Sequence, residues 1–333
     1  MRHLVTPGRL FALGLILIVV VAAAYVVPSD EYIFLPDPAH PVAPLVHVPG
    51  GKEPKQGGVY FVDVIVRKAS ILEKLFGGLH EGASLYPASA VNPPGTTDQQ
   101  RRRIDLEDMA NSQQIAAIVA EQAAGKNVKV TEVGARIELV GAGFPADGKL
   151  QPDDVIVDVD GKRTRTPKAV IARVATHHVG DTVAFTVDRG GSALVERIKT
   201  TADPRHKQHP FIGVQLVPAV HIIRLPVPVR INAGGVGGPS AGLAFALDIL
   251  QQLGRDVVHG RKIAATGEIF PDGTIGPIGG VTQKTIGARR TGVDAFLVPA
   301  GDNARDARKV AHGLRIIPVE TFPQALHALA TLR

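Results

Sequence analysis

The chain has no cysteine and no tryptophan, and only 4 of its 333 residues are tyrosine. Without cysteine there are no disulfides, no thiol nucleophile and no thiolate metal site. Aromatic residues make up 5% of the chain, so the cores must be built from Val, Leu, Ile and Ala. A strong charge of one sign is also missing. Lys and Arg number 37 against 31 Asp and Glu, a formal balance of +6. The densest basic cluster, RRR at 101–103, reads as a solvated loop or helix flank, so nucleic acid is not expected as a partner. The 45% hydrophobic content suits a globular protein, and the length allows two compact domains with connecting segments.

One long uncharged run stands out at 10–27, LFALGLILIVVVAAAYVV. As a helix it rises about 27 Å, close to the hydrocarbon thickness of a bilayer. Arg2 and Arg9 precede it, and Asp30, Glu31 and Asp37 follow it. The expectation is an uncleaved single-pass transmembrane helix, with a cytoplasmic N-terminus at 1–9 and an extracytoplasmic catalytic body. A cleaved signal peptide, suggested by AAA at 22–24, is the alternative. Residues 28–57 are rich in Pro and Gly and read as an extended linker. Residues 58–126 read as an α/β segment packing on the body. GVYFVDVIV at 58–66 is its strand, SILEKLFGGLHEG a short helix, and the segment from Asp105 a longer helix closed by glycine.

From about Val128 to Thr200 the pattern changes to short strands separated by Gly and Pro turns, with one helix at PKAVIARVATHHVGD. The run FPADGKLQPDDVIVDVDGKRT resembles the PDZ domains associated with bacterial proteases, and residues 127–202 are expected to form a PDZ-like β-rich domain. The resemblance implies a groove that binds an extended peptide ligand as an added strand.

The segment GGVGGPSAGLAFALDIL, 234–250, places Ser240 between Pro239 and the start of an amphipathic helix. GPSAG satisfies the G-x-S-x-G pattern, which in an α/β-hydrolase calls for a following acid and histidine. His259, His312 and His327 lie downstream, the last two in helical patterns without a catalytic loop around them. A lysine base fits better. Lys284 stands just after a glycine turn, where a helix begins. The helix dipole and burial both disfavour an ammonium there, so a neutral amine is available to take the Ser240 proton. Gly237 and Gly238 leave room for a substrate carbonyl, and backbone N–H groups of that turn offer an oxyanion site.

These residues carry a second resemblance. GPSAG at 238–242, TGEI at 266–269, PIGGVTQK at 277–284 and PAGDN at 299–303 resemble, in order and spacing, the proteolytic domain of Lon-type serine peptidases. With the PDZ-like module and the apolar run, the arrangement resembles the membrane-anchored, PDZ-containing Lon-like proteases of bacteria. The implied fold class is α+β multidomain: an N-terminal transmembrane helix, a PDZ-like domain and a Lon-type α+β proteolytic domain at 208–333. Carried over, Ser240 matches the nucleophile, Lys284 the general base and Thr266 a residue that orients the lysine. One departure is Gly237, where many members of the family have aspartate.

The resemblance further implies an ATP-independent serine endopeptidase acting on polypeptide substrates, and a homo-oligomer. No cofactor or metal is expected. Gln283 replaces the glycine that a G-K-[ST] phosphate loop requires, and RHKQH at 205–209 supplies only His206 and His209, in a linker. The competing reading is a membrane-tethered PDZ adaptor whose peptidase domain is silent.

Overall fold

The structure, a computed structural model, describes residues 7–92, 97–204 and 206–332. It divides into two compact units, one made of 1–124 with 227–333 and the other of 125–226.

The first unit begins with helix α1, Pro7–Val26, and strand β1, Pro28–Pro36. No helix among the described residues is long and apolar enough to cross a membrane. That overturns the expected transmembrane helix at 10–27, and with it the single-pass membrane localisation that rested on it. The physical reason is length. The chain turns into β1 at Pro28, so the uncharged part of α1, 10–26, rises about 26 Å against a hydrocarbon core of about 30 Å. Residues 1–6 of the expected cytoplasmic N-terminus lie outside the described residues.

The expected strand at 58–66 is two strands, β2 (Gly58–Phe61) and β3 (Val64–Ser70), parted at Val62 and Asp63. β2 enters a sheet with β5 (Lys262–Ala265), β6 (Ala295–Pro299) and β7 (Arg315–Val319), all paired in parallel, while His40–Pro41 closes the β2 edge antiparallel. β3 and β4 (Ser84–Pro87) flank β1 in a separate antiparallel sheet. In β6 every residue of AFLVP is buried, the continuous apolar run of a parallel strand covered on both faces.

Three helices position the site. Helix α2, Asp98–Ala123, starts further upstream than its periodicity suggests, because Thr97 and Gln100 form a reciprocal capping box. Helix α3, Gly242–Gln252, is buried along its whole length, as befits GLAFALDILQQ. Helix α4, Val281–Thr291, is bracketed by left-handed glycines, Gly280 at φ 66° and Gly292 at φ 70°. Its Val281 and Ala288 pack with Ala264, Phe296 and Val298 of the sheet.

The second unit is a sheet in the order Ser192–Lys199, Thr182–Arg189, Val155–Val159, Lys129–Val140, Val214–Arg224, with helix Pro167–Val174 alongside. Phe185, Ile137, Ile156 and Ile198 lie fully buried at its centre. The strand Val214–Arg224 belongs here through its long antiparallel ladder with Lys129–Val140.

Candidate active site

Gly238, at φ 83°, turns the chain so that Pro239 opens a single 3-10 turn, Pro239–Ala241, which runs directly into α3. Ser240 sits in that turn, which is held from two sides. On the sheet side, the Gly267 N–H donates to the Ser240 carbonyl at 2.8 Å and the Thr266 hydroxyl donates to it at 3.2 Å. On the other side stands α2. Its Ser112 hydroxyl donates to the Pro239 carbonyl at 2.8 Å, its Asp105 carbonyl accepts the Gly238 N–H at 2.6 Å, and its Arg102 guanidinium donates to the Gly235 carbonyl.

Lys284 comes from the first turn of α4, where its own N–H closes onto the Gly280 carbonyl. Only 4% of its surface is exposed. Its Nζ lies 2.6 Å from Ser240 Oγ and 3.4 Å from the Oγ1 of Thr266, itself fully buried. Burial pulls the lysine down to about 8, with the Asp63 carboxylate acting the other way. A good fraction of neutral amine is therefore present a little above neutrality, within reach of a serine hydroxyl. Three residues from distant motifs thus converge on one point.

Ser240 and Lys284 open into a cleft of about 990 Å³. Gly237 and Gly238 form part of its floor, Phe34, Val64, Val66 and Ile104 supply apolar wall, and Asp63, Asp105, Arg101 and Arg102 bring charge. None of His259, His312 and His327 lines it. His206 and His209 stack their rings 5.5 Å apart, and no clustered group of three or more ligating side chains among the described residues includes them. The Gly238 N–H, expected at an oxyanion site, is directed at the Asp105 carbonyl.

Residues 220–331 match the Lon protease (S16) C-terminal proteolytic domain, and residues 111–200 match a PDZ domain. The chain carries a Lon-type serine peptidase domain. It is 37% identical over 123 residues to Lon protease 1 of Sorangium cellulosum, covering 35% of this chain and 15% of that protein. With the Lon protease of Azorhizobium caulinodans it shares 40% over 94 residues, or 27% and 11% of the two chains. The chain thus spans only a small part of the relatives it matches. A PDZ domain of an SdrC-like protein from Listeria monocytogenes is 33% identical, covers 27% of this chain and 94% of that one, and gives a TM-score of 0.25.

Within the Lon-type domain the departure at Gly237 has a structural cause. A Cβ there would lie 2.7 Å from the Cβ of Asp105, so α2 already fills the space a side chain would need. Gly237→Asp is expected to cost about 1–3 kcal/mol of stability, the usual toll of overpacking. Gly237→Asp with Asp105→Gly, which removes the clashing Cβ, should regain part of it in urea denaturation, whereas Asp105→Ala, which keeps that Cβ, should not. Equal midpoints for the parent and Gly237→Asp would contradict this placement.

Sequence reasoning missed Asp63, Asp105, Arg101 and Arg102. Asp63 had a signal, since it is the single acid inside the apolar run VYFVDVIV. The other three had none, because only the docking of α2 brings them to the cleft.

Proposed function

We propose that the chain is a serine endopeptidase that cleaves polypeptides through Ser240 and Lys284 without nucleotide. The observation that carries the reading is the 2.6 Å approach of a buried lysine amine to a serine hydroxyl in an open cleft. Ser240 Oγ attacks the peptide carbonyl carbon, and its proton passes to Lys284 Nζ while the carbonyl electrons move onto oxygen. The new ammonium returns the proton to the leaving nitrogen as the C–N bond breaks, giving an acyl-serine. Water then repeats the sequence and releases the acid. Thr266 holds the amine in register, and bare Gly238, where a Cβ would meet nothing within 4 Å, leaves room for the scissile carbonyl, while the space beside Gly237 is taken by Asp105.

Independence from ATP is supported by the use made of Gln283. Its amide donates to the Gly82 carbonyl at 2.7 Å and to Ser84 Oγ at 2.9 Å, so α4 begins on a protein contact where a phosphate loop would need a bare glycine. The PDZ domain would recruit substrate by adding a peptide strand. Assembly of several copies belongs to the same reading and rests on the resemblance alone.

The test is covalent. The full chain, treated at pH 9 without nucleotide with a fluorophosphonate probe, should be labelled at one site, mapped by mass spectrometry to Ser240, and Ser240→Ala should remain unlabelled. A folded parent chain that takes no label under these conditions would favour the silent adaptor.

A further inference from the structure

Asp63 interrupts an otherwise apolar run at the point where β2 and β3 part. Its neighbours fix it against the start of α4: Val62 is 1% exposed, and Val64 packs so closely on Gly280 that a Cβ there would lie 2.8 Å from a Val64 methyl. Asp63 lines the same cleft as Ser240 and Lys284, and its Oδ1 is buried without a hydrogen-bond partner. A carboxylate oxygen removed from water with no donor is costly unless a cation faces it.

The groups around it are few. Asp37, just after β1, repels the Asp63 charge. His40 Nε2 lies 3.8 Å from Asp63 Oδ1 and 2.8 Å from Asp37 Oδ2, so the imidazole is engaged chiefly by Asp37. Lys284, from α4, is the remaining cation that acts on Asp63, and Asp63 in turn is the charge that opposes the effect of burial on Lys284.

We propose that Asp63 is a positioning residue of the peptidase, the counter-charge that steadies the Lys284 ammonium formed each time Ser240 gives up its proton. The proposal rests on the Ser240–Lys284 reading above. Asp63 takes no proton in the cycle, and the aspartate comes from outside the matched proteolytic domain, residues 220–331. Burial and Asp37 push the Asp63 carboxyl up to about 6. It is therefore ionised throughout the range where Lys284, at about 8, loses its proton. The sign follows. An ionised Asp63 favours the ammonium and raises the lysine pKa, so removing the charge lets burial carry that pKa lower.

The experiment measures kcat/KM from pH 6 to 10 for the full chain cleaving a fluorescently labelled unfolded protein, with Asp63→Asn, Asp63→Glu, Asp37→Asn and Ser240→Ala alongside. In Asp63→Asn the rising limb should move to lower pH while the plateau falls roughly tenfold, the worth of one charged contact. Asp63→Glu should return the limb towards the parent position. Asp37→Asn leaves the Asp63 charge in place, and its limb should stay put even if packing suffers. A merely structural Asp63 would lower the plateau without moving the limb, and that result overturns the proposal. Cleavage that survives in Ser240→Ala would instead overturn the dyad itself, which separates the two failures.

Discussion

Replacing Lys284 with alanine is expected to lower kcat for an unfolded polypeptide by roughly 10⁴-fold, at the upper end for loss of a general base. The Michaelis constant should change little, because the amine lies 4% exposed against Ser240 and Thr266 and offers the substrate almost no surface. Lys284→Arg should be as inactive as Lys284→Ala, since a guanidinium keeps its proton across the accessible pH range. In the parent, the rate should rise with pH and reach half its limit near pH 8, where burial has brought the lysine. Both variants should lose this limb along with the activity. Initial rates from pH 6 to 10, with circular dichroism to confirm folding, decide the matter. More than a tenth of the parent rate in Lys284→Arg would mean that another group takes the serine proton.

What could be read from the sequence and what could not divides along physical lines. Ser240, Thr266 and Lys284 sit in short motifs whose local structure is set locally. Gly238 provides the positive φ before the nucleophile turn, and Gly280 starts the helix that carries the lysine. Periodicity likewise revealed the buried helix after Ser240. Long-range docking was out of reach. Arg102 and Asp105 meet Gly235 and Gly238 across more than a hundred residues of chain, and no local pattern announces such a contact. Pairing of Val214–Arg224 with Lys129–Val140 is equally non-local. The run at 10–27 failed for another reason. Hydropathy counts apolar residues but does not see where the helix gives way, and here Pro28 opens a strand. The break between β2 and β3 was hidden because Val62 and Asp63 keep the β-branched and alternating look of a strand while the backbone leaves the ladder.

Gly287→Ala should be among the most damaging single substitutions in the proteolytic unit, even though alanine is the better helix former by about 1 kcal/mol. Gly287 lies inside α4, and a Cβ there would stand 1.8 Å from the Asp37 carbonyl oxygen and 3.0 Å from its carbonyl carbon. Backbone atoms cannot swing aside as a side-chain tip can, so either the helix or the segment after β1 must move. That segment is also tied to α4 at Thr291, whose Oγ1 accepts the Ala39 N–H at 2.7 Å and donates to the Gly287 carbonyl at 3.0 Å. The two contacts act together, and loosening one loosens the other. A loss on the order of 4 kcal/mol is expected, at the severe end for one substitution, with the melting temperature falling by roughly 10 °C. Activity should fall even below that temperature. Lys284 is one helical turn from Gly287 on the same face, and a displacement of about 1 Å at a reacting group costs roughly a hundredfold. Gly78→Ala, where a Cβ meets nothing within 4 Å, should melt with the parent. If Gly287→Ala does the same, α4 is not seated against Asp37, and the placement of Lys284 beside Ser240 loses its main structural support.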